Sequence, residues 1–287
     1  MAQAFSIVLQ AGRLLRAGLL AAAPLMVAGA TPAAAQAEKI TLDFDVIAHG
    51  TRVYDIGVEY RLSREGYTAV LNAETTGLVG FFMDEQLQMQ ASGALTSSSA
   101  QPARFTYSQA EGKDRRTAQL RWTASRVEVE RSYSLDEDRR RDLERAVEKT
   151  LPDPLSGVLN ALLPSPGKVC AGSQRVYDGK EVFELSFSYL GTTQLQEKGS
   201  GYRGPVHQCR VQYKSIAGLS KKRAARNRAN PPVYTVWFAP VHASSLGRDI
   251  LVPVAASGEM KGRAVRIVAR EATIDGKPLK SEARKPE

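Results

Sequence analysis

From residue 40 to 48 apolar and polar positions alternate. Leu42, Phe44, Val46 and Ala48 fall on one side, Thr41, Asp43 and Asp45 on the other. A period of two marks a strand with one buried face. Val58, Tyr60 and Leu62 repeat the pattern, and Ser63-Arg64-Glu65-Gly66 reads as a turn into a strand over 67–73, which makes a hairpin. Segments 104–109, 117–123 and 125–131 read as three more strands. In the second of them Ala118, Leu120 and Trp122 share a face.

The period then changes. Leu143, Ala146, Val147, Thr150 and Leu151 are spaced as on one helix face, with Ser134 and Glu137 as a capping box at its start and Pro152 as its stop. Asp153-Pro154 starts a second helix, Asp as the N-cap and Pro at the first helical position. Leu155, Val158, Leu159 and Leu162 form its apolar stripe.

Strands return after residue 170. Phe183, Leu185, Phe187 and Tyr189 share a face, following a tight Tyr177-Asp178-Gly179-Lys180 turn. Cys209, Val211 and Tyr213 share another within 206–214. Segments 233–239, 250–255 and 262–269 complete the set, with Ser257-Gly258-Glu259 as a turn between the last two. About eleven to thirteen strands in hairpin succession must curl or split to avoid long exposed edges. The expected fold is mainly β: a curved antiparallel sheet or incomplete β-barrel with a two-helix insert over 134–163. One β-rich domain over 38–280 is expected, ending in a polar tail over 281–287.

Residues 1–37 have a different character. Arg13 and Arg16 precede an apolar run over 17–28, and Ala35-Gln36-Ala37 forms a small-x-small cleavage site. This is the layout of a secretory signal peptide, and its run is shorter than the roughly 20 residues that span a bilayer. The expected location is the periplasm, with no transmembrane span in the mature chain. Removing Arg13 and Arg16, with no acids lost, takes the formal charge from +9 to +7. A basic protein in that compartment meets lipid headgroups, glycolipid or cell-wall polymers, and not nucleic acid. Cys170 and Cys209, an even count in an oxidising compartment, read as one disulfide. Free thiols or a metal pair are the alternatives, and neither cysteine has a companion at ligand spacing.

The order of several short motifs carries a resemblance. Asp153-Pro154-Leu155-Ser156, Val176-Tyr177-Asp178-Gly179, a late Cys209 followed by Tyr213, Trp237-Phe238-Ala239-Pro240 and Leu251-Val252-Pro253-Val254 follow one another behind the leader. Over residues 41–270 the chain resembles the bacterial family called domain of unknown function 3108. The resemblance implies an exported, mainly β protein of open-barrel type with no established activity. It carries over no catalytic residue. The Arg/Glu-rich helix ahead of Asp153 departs from the family pattern.

Catalytic patterns are weak throughout. His49, His207 and His242 lie in separate segments, in none of the spacings that bind zinc. His207 shares a predicted strand face with Cys209, but a disulfide would consume the thiol. No nucleophile elbow occurs, and Ser156 is placed for hydrogen bonding at a helix start. Gly199-Ser200-Gly201-Tyr202-Arg203-Gly204 fits a dinucleotide fingerprint in letters only, because Pro205 and a strand follow it. Asp43 with Asp45, and Glu128 with Glu130, are carboxylate pairs of the kind a glycosidase uses, but each pair lies on the polar side of its strand, where a solvated surface accounts for it. No metal, cofactor or enzymatic activity is expected.

The reading that remains is a non-catalytic binding or structural module for an amphipathic or anionic envelope ligand. Phe183, Leu185, Phe187, Tyr189, Val211 and Tyr213 would line its concave face, joined by Phe81, Phe82 and Met83. Lys221, Lys222 and Arg223, in a basic loop expected to be mobile over 214–232, would meet the anion. An interaction partner of the outer-membrane or cell-wall machinery is the alternative, and an envelope hydrolase the third.

Overall fold

The computed structural model describes residues 37–77, 80, 84–96, 99–163, 168–260 and 263–279. The leader, the tail beyond 280 and the Phe81–Met83 group lie outside these. Seven strands come first: β1 Glu38–Ala48, β2 Thr51–Leu62, β3 Gly66–Thr75, β4 Glu85–Leu95, β5 Ala100–Glu111, β6 Asp114–Trp122 and β7 Val127–Arg131. A link with helices α1 Glu137–Ala146 and α2 Pro154–Leu162 follows. The second arm holds β8 Gly172–Tyr177, β9 Val182–Leu195, β10 Gly204–Ala217, helix α3 Lys221–Ala229, β11 Val233–Ala243, β12 Arg248–Met260, β13 Arg263–Ile274 and the short β14 Lys277–Pro278.

All pairings are antiparallel. The first and last long strands meet in the middle, with Ile40 opposite Ile274 and Ala48 opposite Val265. Each arm then meanders outward, to the edge strand β7 on one side and β8 on the other. The helical link therefore runs from one sheet edge to the other. Helix α2 packs against β3, β4 and β5 of the first arm and against β8 and β12 of the second, so the sheet curls around it. Its buried Leu155, Leu159 and Leu162 join Tyr60, Leu62, Phe105, Leu120 and Val254 in one core.

Among the described residues no ladder joins the two edges. Side chains bridge the seam instead: Arg131 of β7 donates to the Tyr177 hydroxyl at 2.7 Å and to the Gly179 carbonyl. Gly179 has φ 91°, and a Cβ there would sit 3.0 Å from Leu120 Cδ1, so glycine permits both the turn and its approach to β6. Cys170, just ahead of β8, is bonded to Cys209 in β10, with Cα atoms 5.9 Å apart. The disulfide thus spans the intervening β9 and staples the edge of the second arm. In the chain-entropy account such a link contributes about 3–4 kcal/mol.

Several expectations are corrected. The first helix is capped by Asp136, which accepts from the Arg139 N–H at 3.0 Å; Ser134 plays no part. It ends at Ala146, where Val147 turns extended, and a separate turn returns Leu151 to the core. The Leu151 carbonyl there accepts from Trp122 Nε1 at 2.9 Å. Ser257-Gly258-Glu259 is no turn, since β12 continues to Met260. A Cβ at Gly258 would meet the Tyr234 ring at 2.4 Å, so this glycine makes room across the ladder. The basic segment is a strand end and a helix, α3, in place of the expected loop. Strands β4 and β8 and the short β14 add to the set that alternation predicts.

Candidate functional site

A cleft of about 730 Å³ opens at one mouth of the curled sheet, beside the seam. Its centre is the β8–β9 turn. Asp178 Oδ1 accepts from the backbone N–H of Lys180 at 2.9 Å and of Glu181 at 2.7 Å, which fixes the turn and sends both side chains into the cleft. Lys180 Nζ lies 4.6 Å from the centre of the Tyr107 ring and donates to its hydroxyl at 3.4 Å. Tyr107 in turn donates to Gln109. Glu181 is buried and accepts from the Tyr213 hydroxyl. Burial pushes its carboxyl above the ordinary value, while Tyr213, Ser215 and Arg223 oppose that rise and Asp178 adds to it. Burial also raises the Tyr133 phenol to about 12, and its hydroxyl has no hydrogen-bond partner among the described residues.

Four cations surround this group: Arg116, Arg139, Lys180 and Arg223. Arg139 is tied down through its Nε to the Gly218 carbonyl at 2.6 Å. The apolar lining comes from Met89, Leu135, Pro154, Phe183 and Leu219. Two acids against four cations leave the cleft positive, and the cations stand next to aromatic and aliphatic surface. Such a site suits a molecule with an anionic head and an apolar body.

Of the residues singled out in the sequence, Phe183 and Tyr213 line the cleft, their rings 5.3 Å apart. Leu185 and Val211 continue the same ladder, opposite Tyr213 and Phe187. Phe187 belongs to a separate hollow of about 190 Å³ with Phe238 and Cys170. Tyr189 is 49% exposed and rests on the His207 ring, outside the cleft. Arg223 reaches the cleft, whereas Lys221 and Lys222 do not: both are exposed, and Lys221 pairs with Asp138 at 2.9 Å. Sequence pattern does not disclose Tyr107, Gln109, Arg116, Arg139, Lys180 or Glu181 as site residues.

A second polar cluster lies deep inside. Asp153 and Ser156 have no solvent exposure. Asp153 Oδ1 accepts from the N–H of Leu155 at 2.9 Å and of Ser156 at 3.0 Å, the N-cap geometry expected of this motif. The Ser156 hydroxyl bonds to Asp153 Oδ2 and to the Tyr67 hydroxyl. Burial raises the Asp153 carboxyl to about 6, against the pull of those donors. Nothing from solvent reaches this group, so it locks α2 to the sheet and is no nucleophile site.

The other suspected chemistry is dispersed. Asp45 accepts from Arg270 at 2.8 Å and Arg52 at 3.1 Å, and Glu128 from Arg121 at 2.7 Å, so these carboxylates are spent on ion pairs. The His207 ring rests on the exposed Tyr189 ring, while the buried Cys209 sulfur is bonded to Cys170, so the two form no catalytic pair. The Gly199–Gly204 link is pinned to β13 by the Gly201 N–H on the Ala269 carbonyl at 2.8 Å. Among the described residues no three His, Cys, Asp or Glu side chains gather at metal distance. Nor is any described helix long and apolar enough to cross a membrane, which says nothing of strands.

The model of the family described as "Protein of unknown function (DUF3108)" matches residues 39–261. The chain belongs to the DUF3108 family. The match runs from β1 through β12 and takes in the helical link, so the cleft lies within the family region. Among solved structures, this DUF3108 chain is similar to a β-barrel-like protein of the domain of unknown function DUF1849 from Brucella abortus. Identity is 9%, over 84% of this chain and 98% of that one, with a TM-score of 0.46. It is similar also to a putative lipoprotein from Parabacteroides distasonis, at 8% identity over 83% and 96%, with a TM-score of 0.34. No curated protein matches it.

Proposed function

We propose that this DUF3108 protein is exported to the periplasm and there holds an amphipathic anion, a lipid or acidic glycolipid, in its mouth cleft without transforming it. The observation that carries the reading is the cleft itself, where Arg116, Arg139, Lys180 and Arg223 stand against the apolar surface of Met89, Leu135, Phe183 and Leu219. Its volume, about 730 Å³, falls in the range of small-ligand sites. Export rests on the basic start, apolar run and Ala35-Gln36-Ala37 site of the leader. Sequencing the N-terminus of envelope-extracted protein should give Glu38 first; a full-length cytoplasmic product would sink that part.

Binding is tested by titrating alkyl phosphates of increasing chain length at two ionic strengths. Each methylene that enters apolar surface should tighten binding about fourfold. Raising the salt should weaken it, because the head meets screened cations. Lys180→Met should weaken the head contact while keeping the chain-length slope. If affinity follows neither chain length nor salt, the cleft is no lipid site, and the interaction role becomes the better account.

A further inference from the structure

The two exposed helices handle charge in opposite ways. In α1 each of three arginines has an acid one turn away: Arg140 pairs with Glu137 at 2.7 Å, Arg141 with Asp138 at 3.3 Å and Arg145 with Asp142 at 3.9 Å. Helix α3, Lys-Lys-Arg-Ala-Ala-Arg-Asn-Arg-Ala, contains no acid at all. It buries no residue either, so the core does not account for it. Arg223, Ala224 and Asn227 are half-buried and form its inner side. At 100° per residue Lys221, Lys222, Arg226 and Arg228 fall on the opposite side, together with Ala225 and Ala229. Among the described residues Lys222, Arg226 and Arg228 enter no ion pair. Lys222 and Arg226 are also four apart, a spacing at which like charges destabilise a helix. A nine-residue helix with repelling cations and no buried face is marginal alone. Among the described residues the charges of Lys222, Arg226 and Arg228 are thus unmatched, while Lys221 pairs with Asp138.

We propose that the outer face of α3 docks on an anionic lipid bilayer surface. The four cations sit on long flexible stems, and the helix carries no aromatic side chain to stack on a base. That arrangement suits a laterally uniform sheet of headgroups, where each exposed Lys or Arg adds attraction independently. The inner face meanwhile carries Arg223 into the mouth cleft, so docking by α3 would bring the cleft to the lipid surface. The docking itself does not depend on the cleft holding a ligand, and the two are separable by experiment.

The test is co-sedimentation of the full chain with vesicles of phosphatidylcholine alone and with a third phosphatidylglycerol. Binding should require the anionic lipid and fall as salt rises. The variant Lys222→Gln/Arg226→Gln/Arg228→Gln should lose roughly fivefold per cation, on the order of a hundredfold in all. Its thermal unfolding should equal or slightly exceed that of the parent, since these side chains are not buried and their mutual repulsion is removed. Asp138→Asn should act the other way and strengthen binding, because it releases Lys221 from its partner. The triple variant should still bind a short monomeric alkyl phosphate as the parent does, because none of its three positions lines the cleft, which separates docking from cleft occupancy. Equal binding to neutral vesicles, or a triple variant that binds as well as the parent, would overturn the docking. So would indifference to vesicles combined with charge-dependent binding to an acidic polypeptide, which would transfer α3 to a protein partner.

Discussion

Asp153 and Glu181 are both buried carboxyls hydrogen-bonded within a cluster that contains a tyrosine hydroxyl, and they have opposite surroundings. Asp153 sits at the start of α2 inside the curled sheet, and every donor near it is spent: two backbone N–H groups on one oxygen, the Ser156 hydroxyl on the other, Tyr67 behind that. Glu181 sits on the wall of an open cleft, with Tyr213 on one oxygen and Arg223, Lys180 and Asp178 within its field or beside it. The same chemistry is therefore a lock in one place and a candidate recognition group in the other. Access to water makes the difference, because a closed network must satisfy itself whereas an open one can exchange partners.

The largest expected effect separates the two by stability. Asp153→Ala removes an N-cap, leaves two backbone donors unpaired in a dry site and strips the Ser156 hydroxyl of its acceptor, leaving it only Tyr67. At pH 5, where the carboxyl is mostly protonated and no charge penalty is relieved, the loss should be about 4 kcal/mol. Glu181→Ala should cost about 1 kcal/mol, since cleft water can take up the Tyr213 hydroxyl. Urea unfolding at pH 5 measures both. Equal losses would erase the distinction between lock and site.

The pH dependence of stability sharpens it. The folded-state value of Asp153 is about 6, above the ordinary 3.8, so between those values the native state holds a proton that the unfolded chain has released. Stability from this group is greatest at low pH, falls as pH rises from about 4 to about 6 and is level above that. The full span is about 3 kcal/mol. Asp153→Asn keeps a capping oxygen and does not titrate. The parent-minus-variant difference, taken from unfolding midpoints at pH 4, 5, 6 and 7, should trace that fall. Parallel curves would mean that Asp153 is not held in a dry site. Glu181 is shifted in the same direction, but two hydroxyls and Arg223 oppose the shift, so its contribution should be smaller and should change when the cleft is occupied.

The two regions also differ in how far the sequence discloses them. The Asp153 lock is local: Asp-Pro at a helix start, followed by an apolar stripe, reads directly as a capped, buried helix. The structure keeps the cap and buries Leu155, Leu159 and Leu162, whereas Val158 of the expected stripe is exposed and Ser156 and Gly157 are buried instead. The central alternation of Leu42, Phe44 and Val46 is equally plain. The cleft is not local. Tyr107 and Gln109 come from β5, Arg116 from β6, Arg139 from the link, and Lys180 and Glu181 from a turn in the other arm. They meet only because the sheet curls and brings its two ends together. Phe183 and Tyr213 are legible because they share a ladder, which is a neighbour relation that alternation can detect. Helix α3 is hidden for another reason. Periodicity reports a buried face, and α3 has none. Strand β4 is readable in principle, since Leu87, Met89 and Ala91 alternate with Gln86, Gln88 and Gln90, but its polar positions hide it between two loop-like segments.

The smallest effect applies one chemical change to both sites. Tyr67→Phe and Tyr213→Phe each delete a single hydroxyl next to a buried acid and preserve the ring. In the closed cluster the Ser156 oxygen loses the Tyr67 hydroxyl and no water can replace it, so the cost should be about 1–2 kcal/mol. In the cleft a water can occupy the vacated position beside Glu181, so the cost should be about 0.5 kcal/mol or less. The effect on ligand should run the other way. Tyr213→Phe should weaken alkyl phosphate affinity, because the Glu181 side chain loses the hydroxyl that holds it to the cleft wall and is free to turn into the space of the anion's head. Tyr67→Phe should leave affinity unchanged, since its hydroxyl never meets solvent. Unfolding free energies and titrations on the same two proteins give four numbers, and only a crossed pattern, stability lost at Tyr67 and affinity lost at Tyr213, is consistent with one closed acid and one open acid.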